Sequence, residues 1–310
     1  VLGVDPELDP IAAFEPEAPP VHGTPWYAAL RRLLRNRLSL AGLIIIGTLA
    51  AGALLAPVLS SEHPNENGIW QIDLKNTKQA PTLAHPLGTD QLGRDQLSRM
   101  LYGARVSLLI GFAAVSLAIV TGSVLGAIAG YSGGAIDNVI MRIMDVVLAF
   151  PSILMALAIV VVLGHGLMNV MIAVGIVSIP TYARIVRSKV IAESTRDYVA
   201  ASRALGAGHT RLLLRHIMPN SLAPLIVAAS LGIGVAILDA AGLGFLGLGA
   251  QPPMAEWGLM LSDNRQKLFA EWWLVAVPGV AIMLTVLGFN LLGDGLRDVL
   301  DPRLRHRGAR

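Results

Sequence analysis

Between Arg105 and Asp137 the chain reads VSLLIGFAAVSLAIVTGSVLGAIAGYSGGAI, without a single charged residue. About 20 apolar residues of helix cross the hydrocarbon core of a bilayer, so this stretch is long enough to span. It has to be helical, because an open strand would leave backbone groups unpaired in lipid. Composition agrees. Of 310 residues, 54% are hydrophobic and 15% charged, with a mean hydropathy of +0.62. A soluble domain carries about 25% charged residues. The chain belongs to the membrane class, and its length suits one compact bundle.

Working outward, five more spans follow from the gaps between charges. Arg37 to Glu62 holds the first, and the quoted run is the second. Asp145 to Arg184 contains only His165 as an ionisable residue and is too long for one helix. The stretch Leu163-Gly164-His165-Gly166 divides it into a hairpin of spans three and four. Arg215 to Glu256, broken only by Asp239, gives the fifth, and Glu271 to Asp294 the sixth. Pro151 and Pro180 fall within these runs and are expected to kink or unwind their helices. The fold class expected is an all-α membrane protein of about six transmembrane helices spanning 37–303, with an external loop near 60–100.

Basic residues set the orientation. With the N-terminus inside, one side of the membrane holds Arg31, Arg32, Arg35, Arg37, Arg142, the dense group from Arg184 to Arg215, and Arg297 to Arg310. The other side holds only Lys75, Lys78, Arg94, Arg99, Arg105, Arg265 and Lys267. The positive-inside rule then places both termini in the cytoplasm. This distribution also explains the formal charge of +3 without nucleic acid as a partner. Residues 1–36 read as a cytoplasmic tail, partly disordered, acidic and Pro-rich at its start. Residues 304–310 read as a second tail. The absence of cysteine excludes disulfides and thiolate chemistry, and the seven scattered histidines show no metal-binding spacing.

Small residues at Gly122, Gly126 and Gly130 mark one face of span two. They allow close helix approach, within this bundle in the preferred reading or else at a subunit interface. Trp257, Trp272 and Trp273 suit an outer aromatic belt. Asp239 is a costly mid-span carboxylate. It either lines a path, contacts a substrate amine, braces a neighbouring helix or sits near enough to the surface to be wet. Gln91, Arg94 and Asp95 lie in the outer loop, as contacts for an external protein or as a cap that holds the loop.

A polar segment, 193–219, separates spans four and five. Ser194 or Thr195 can cap a helix. Tyr198, Ala201, Ser202 and Leu205 then share one face, and Arg196, Ala200 and Arg203 the other. Gly206 and Gly208 break it. A second short helix carries Arg211 and Arg215, and Pro219 starts span five. Such a helix-turn-helix, joined rigidly to two spans, suits a lever moved by a soluble partner.

This segment resembles the coupling loop of ABC importer permeases, which reads Glu-Ala-Ala, three residues, Gly, nine residues, Ile, one residue, Leu-Pro. Ala200, Ala201 and Ser202 occupy the Glu-Ala-Ala positions. Gly206 and Pro219 match, Met218 replaces Leu, and His216 takes the Ile position beside Ile217. The glutamate is absent. Further stretches resemble the dipeptide/oligopeptide/nickel permeases, nearest their "C" type. These are His85 to Asp95 running into Leu97 to Arg105, Ala149-Phe150-Pro151, Gly242 to Gly249, Glu256-Trp257-Gly258 and Asn290 to Arg297.

The resemblance implies a type I ABC importer permease in a bacterial plasma membrane, carrying peptides, nickel or other small solutes such as haem or glutathione. It implies a homologous second permease, ATPase subunits on the coupling loop and an extracellular binding protein. On this reading Tyr198, Ala200, Ala201, Ser202, Arg203, Leu205, Gly206, Ala207, Arg211, Arg215 and Pro219 form the coupling surface, Asp239 and Pro151 line the path, and Gln91, Arg94 and Asp95 meet the binding protein. The chain has no Gly-x-x-x-x-Gly-Lys phosphate loop. It is therefore expected to hold no cofactor, with ATP and magnesium bound by the ATPase. A secondary transporter is the alternative of another class, but an inverted repeat within the chain is missing. A membrane enzyme would need clustered catalytic groups, which the sequence lacks.

Overall fold

The computed structural model describes residues 26–66 and 68–300. The acidic N-terminal stretch and the tail at 304–310 lie outside the described residues. Within the stretch expected as tail, α1 (Trp26–Arg35) is helical. Asn36 then separates it from α2 (Arg37–Leu54), accepting hydrogen bonds from the backbone N–H groups of Leu38 and Ser39. This cap satisfies two donors that a helix start leaves open. A single turn, α3 (Ala56–Leu59), follows. The outer segment up to Asp95 is irregular, with one antiparallel bridge between Thr89 and Asp95.

Next comes α4 (Gln96–Ser132), whose 37 residues extend roughly 55 Å. It starts well before Arg105, and its length exceeds the roughly 30 Å of a bilayer's hydrocarbon core. Then come α5 (Gly134–Leu148) and α6 (Ser152–Leu163), joined at a 94° bend. Here the structure corrects the sequence reading. Span three is not one helix from Asp145 to Leu163. Asp145 lies in α5, and Pro151 is the residue before α6 rather than a kink inside it. The fixed φ of proline and its missing N–H suit that boundary.

The turn 164–166 leads into α7 (Leu167–Ser194), which continues through Pro180. Pro180 is buried there and does not unwind the helix. After the polar segment come α8 (Asp197–Ala204) and α9 (His209–Arg211), with a π-helical turn, Leu212–Ile217, leading into α10 (Met218–Phe245). The second short helix therefore does not stop at Pro219 but continues into the span. α11 (Trp257–Asn264) follows, and finally α12 (Trp273–Leu300). Among the described residues five helices are long and apolar enough to cross a membrane, or six spans with the bent pair counted as one. Among the described residues no β-strand occurs.

The bundle is knit by backbone proximity. α4 and α7 form its most extensive contact, and the glycine stripe lies along it. A Cβ at Gly122 would stand 2.8 Å from the Ile179 carbonyl oxygen, one at Gly130 2.7 Å from that of Arg187, and one at Gly126 would overlap Ala183. The stripe thus serves packing within this chain. Trp257 departs from the expected aromatic belt. It is buried, and its indole N–H donates to the Met100 carbonyl. Trp272 is exposed, as a belt residue would be.

Candidate functional site

The polar segment after α7 folds back against the end of the bundle. Ser194 and Thr195, read as caps, instead donate their hydroxyls to the carbonyls of Val190, Ile191 and Ala192 in the helix they follow. The residue before α8 is Arg196, which makes no side-chain cap. The anchors are apolar: Val199, Leu212 and Ile217 are almost completely buried. Between them Tyr198 acts as a pin. Its hydroxyl donates to Glu193 at 2.7 Å and accepts from Asn220 at 2.9 Å, joining the end of α7 to the start of α10. Burial, helped by the bond to Glu193, pushes the Tyr198 hydroxyl above its ordinary titration range.

The turn is built by Gly206. Its φ is +84°, the left-handed region. Its N–H reaches the Arg203 carbonyl and the Ala207 N–H reaches that of Ser202. These two bonds make the reverse turn that commonly closes a helix through a glycine. What it presents outward is the surface expected to meet a soluble partner. Ala200, Ala201, Arg203, Arg211, Arg215 and Pro219 are exposed, and Leu205 stands free at 89% of its full accessibility. Ser202 is half-buried and bonds the Tyr198 carbonyl, and Ala207 is half-buried. The expected coupling residues are thus brought together on one knob. An exposed leucine beside cations suits a shallow cleft on another protein.

Asp239 lies on α10, six residues before its end. It is partly exposed and makes no ion pair or hydrogen bond among the described residues. Pro151 lies with Ala149 and Phe150 in the exposed break between α5 and α6. α6 adjoins the outer half of α10, since a Cβ at Gly242 would meet Ile153.

At the opposite end from the coupling turn, the outer loop is locked down. Asp95 is fully buried, caps α4 by accepting from Ser98, and pairs with His85 at 3.0 Å. Arg94 is also buried and binds Asp90 at 2.7 Å. Gln91 alone of the three is exposed, and it donates to the Asp263 carbonyl at the end of α11.

Sequence reasoning missed the groups that hold this end together. Arg99, 1% exposed, binds Asp90 at 2.6 Å and faces Asp263. Glu256 is buried and accepts from Ser107 and from the N–H groups of Gly258 and Leu259, which caps α11. Burial pushes its carboxyl upward, against those three bonds. The only signal in the sequence was the Glu-Trp-Gly string, which has no local meaning without Ser107 far away in the chain.

The chain belongs to the family of binding-protein-dependent transport system inner membrane components, whose model matches residues 122–306. Residues 24–81 match the N-terminal transmembrane domain of oligopeptide transport permease C. Among its relatives is the dipeptide transport system permease protein DppC of Alkalihalophilus pseudofirmus, 50% identical over 96% of this chain and 97% of that protein. The DppC of Escherichia coli is 48% identical over 92% and 96%. The glutathione transport system permease protein GsiD of Pectobacterium atrosepticum is 45% identical over 91% and 92%. Of solved structures, a chain of the MetNI methionine ABC transporter aligns with a TM-score of 0.54 at 18% identity, over 65% of this chain and 96% of that one. The fold is that of a type I ABC importer permease.

Proposed function

We propose that this chain is one permease of an ATP-driven importer of di- and oligopeptides, forming half of the path and passing the motor's stroke through residues 197–217. Family membership over most of the chain supports the reading, together with relatives named for dipeptide transport. The observation that carries it is the knob built by Gly206. Its shape is held from within by Tyr198 and Val199, and it offers Leu205 and the arginines outward. ATPase subunits supply ATP and magnesium binding, a homologous permease completes the path, and an external binding protein delivers substrate at the end that holds Gln91. Both termini are then cytoplasmic, in a bacterial plasma membrane. Docking without the usual glutamate, at Ala200, rests on apolar contact and shape, because exposed ion pairs contribute only about 0–1 kcal/mol.

Cysteine crosslinking tests this, and the chain has no cysteine of its own. In the assembled importer, Ala207→Cys is expected to crosslink to the ATPase and Gln91→Cys to the binding protein. Capture of the ATPase by Gln91→Cys, with Ala207→Cys unlinked, reverses the orientation and refutes the mechanism.

A further inference from the structure

A cavity of about 540 Å³ opens between the ends of α7 and α12 and the start of α10, at the same end of the bundle as the coupling turn. Among the described residues its rim carries Lys189, Arg196 and Arg297 against one acid, Glu193. None of the three cationic side chains has an ion pair or hydrogen bond among the described residues. The Glu193 carboxylate is already engaged by the Tyr198 hydroxyl. Deeper along α10 the wall turns apolar, at Val227 and Leu231. The cavity therefore asks for a ligand with an anion at one end and hydrocarbon at the other. Its charged rim coincides with the ends of two spans and the beginning of a third, the level at which a bilayer places its headgroups.

We infer that this cavity holds an anionic phospholipid, its phosphate among Lys189, Arg196 and Arg297 and an acyl chain along Val227 and Leu231. Basic pockets between helices on the cytoplasmic side recognise such headgroups, and the volume lies in the range of ordinary ligand sites. The inference uses the orientation proposed above. The consequence is local to the lever. Glu193 and Asn220, which line the cavity, are the two groups that hold Tyr198. A headgroup seated beside them stiffens that pin and favours the seated position of α8.

The test uses the whole importer complex in nanodiscs of phosphatidylcholine mixed with phosphatidylglycerol, read by native mass spectrometry. The wild type is expected to retain phosphatidylglycerol selectively. The pair Lys189→Gln and Arg297→Gln is expected to lose that selectivity roughly 30-fold, each cation near a membrane surface contributing about fivefold. The pair Arg31→Gln and Arg32→Gln on α1 is expected to keep it. Equal retention by wild type and the Lys189/Arg297 pair overturns the inference. So does displacement by inorganic phosphate, which would mean a free-anion site. A carbodiimide crosslink from Lys189 to an acid between Asp5 and Glu17 also overturns it, by placing the acidic N-terminal stretch there. Should the double variant fail to assemble, photoreactive phosphatidylglycerol on the wild type decides. Labelling is expected around Val227, and labelling only elsewhere refutes the site. Neither readout needs transport, so failure here is separable from failure of the importer reading.

Discussion

Gly206 offers a clean perturbation, because a Cβ there would meet nothing within 4 Å. Substitution changes backbone preference and no packing. At φ +84° an ordinary L-residue is disfavoured by about 1–2 kcal/mol, and asparagine by less. A β-branched residue is worse still, being a genuine outlier at positive φ. Since 1.4 kcal/mol is tenfold, Gly206→Ala leaves the turn closed roughly 5- to 30-fold less often relative to its open forms, and Gly206→Val less often again. Uptake by the reconstituted importer is expected to fall in the order glycine, asparagine, alanine, valine, while ATP hydrolysis persists and the subunit stays inserted. Arg203→Ala, removing one exposed cation, should cost less than Gly206→Val. The measurements are peptide uptake and phosphate release from the same proteoliposomes. Equal uptake by the asparagine and valine variants would refute the argument, since only backbone strain separates them.

Other outcomes follow from particular contacts. Asp239→Asn is expected to alter peptide uptake with an unchanged melting temperature, because the carboxylate has no partner to lose; a lower melting temperature with normal uptake would assign it to bracing. Gly126→Val drives a side chain into Ala183 on α7 and should cost about 1–3 kcal/mol by overpacking, seen as a lowered melting temperature in detergent. Glu256 has a folded pKa raised above 4.5. The folded chain then binds more protons than the unfolded one, so its contribution to stability is lost as pH rises from 4.5 through the folded value. Glu256→Gln should flatten that pH dependence of the melting temperature, and an unchanged slope would discount the carboxyl.

The spans were legible because lipid imposes one rule on every residue within them, and the gaps from Arg37 to Asp294 obey it. The glycine stripe and the turn at Gly206 were legible for a similar reason: a missing Cβ states a local geometric need. Harder to see was anything set by a distant partner. Trp257 looks like a belt residue until Met100 is found beside its indole. Pro180 looks like a breaker, yet it is buried and its helix continues through it. Arg99 and Asp90 are close in sequence, yet Arg99 also faces Asp263, far along the chain. Ser194 and Thr195 had the right chemistry for caps, and the helix before them took their hydroxyls first.

The break at Ala149-Phe150-Pro151 bears on how the chain can live in a membrane. From the outer turn, the 12 residues of α6 descend only about 18 Å, against a hydrocarbon core of about 30 Å. With the turn 164–166 level with the bilayer surface, the exposed non-helical backbone of the break would sit at a depth where acyl chains offer it no hydrogen bonds. Lipid cannot be its solvent. Whatever covers it must be polar or proteinaceous, a water-filled passage or the flank of a second subunit. In the importer proposed above, the flank of a second permease would supply that cover, and a lone copy dispersed in a bilayer would lack it.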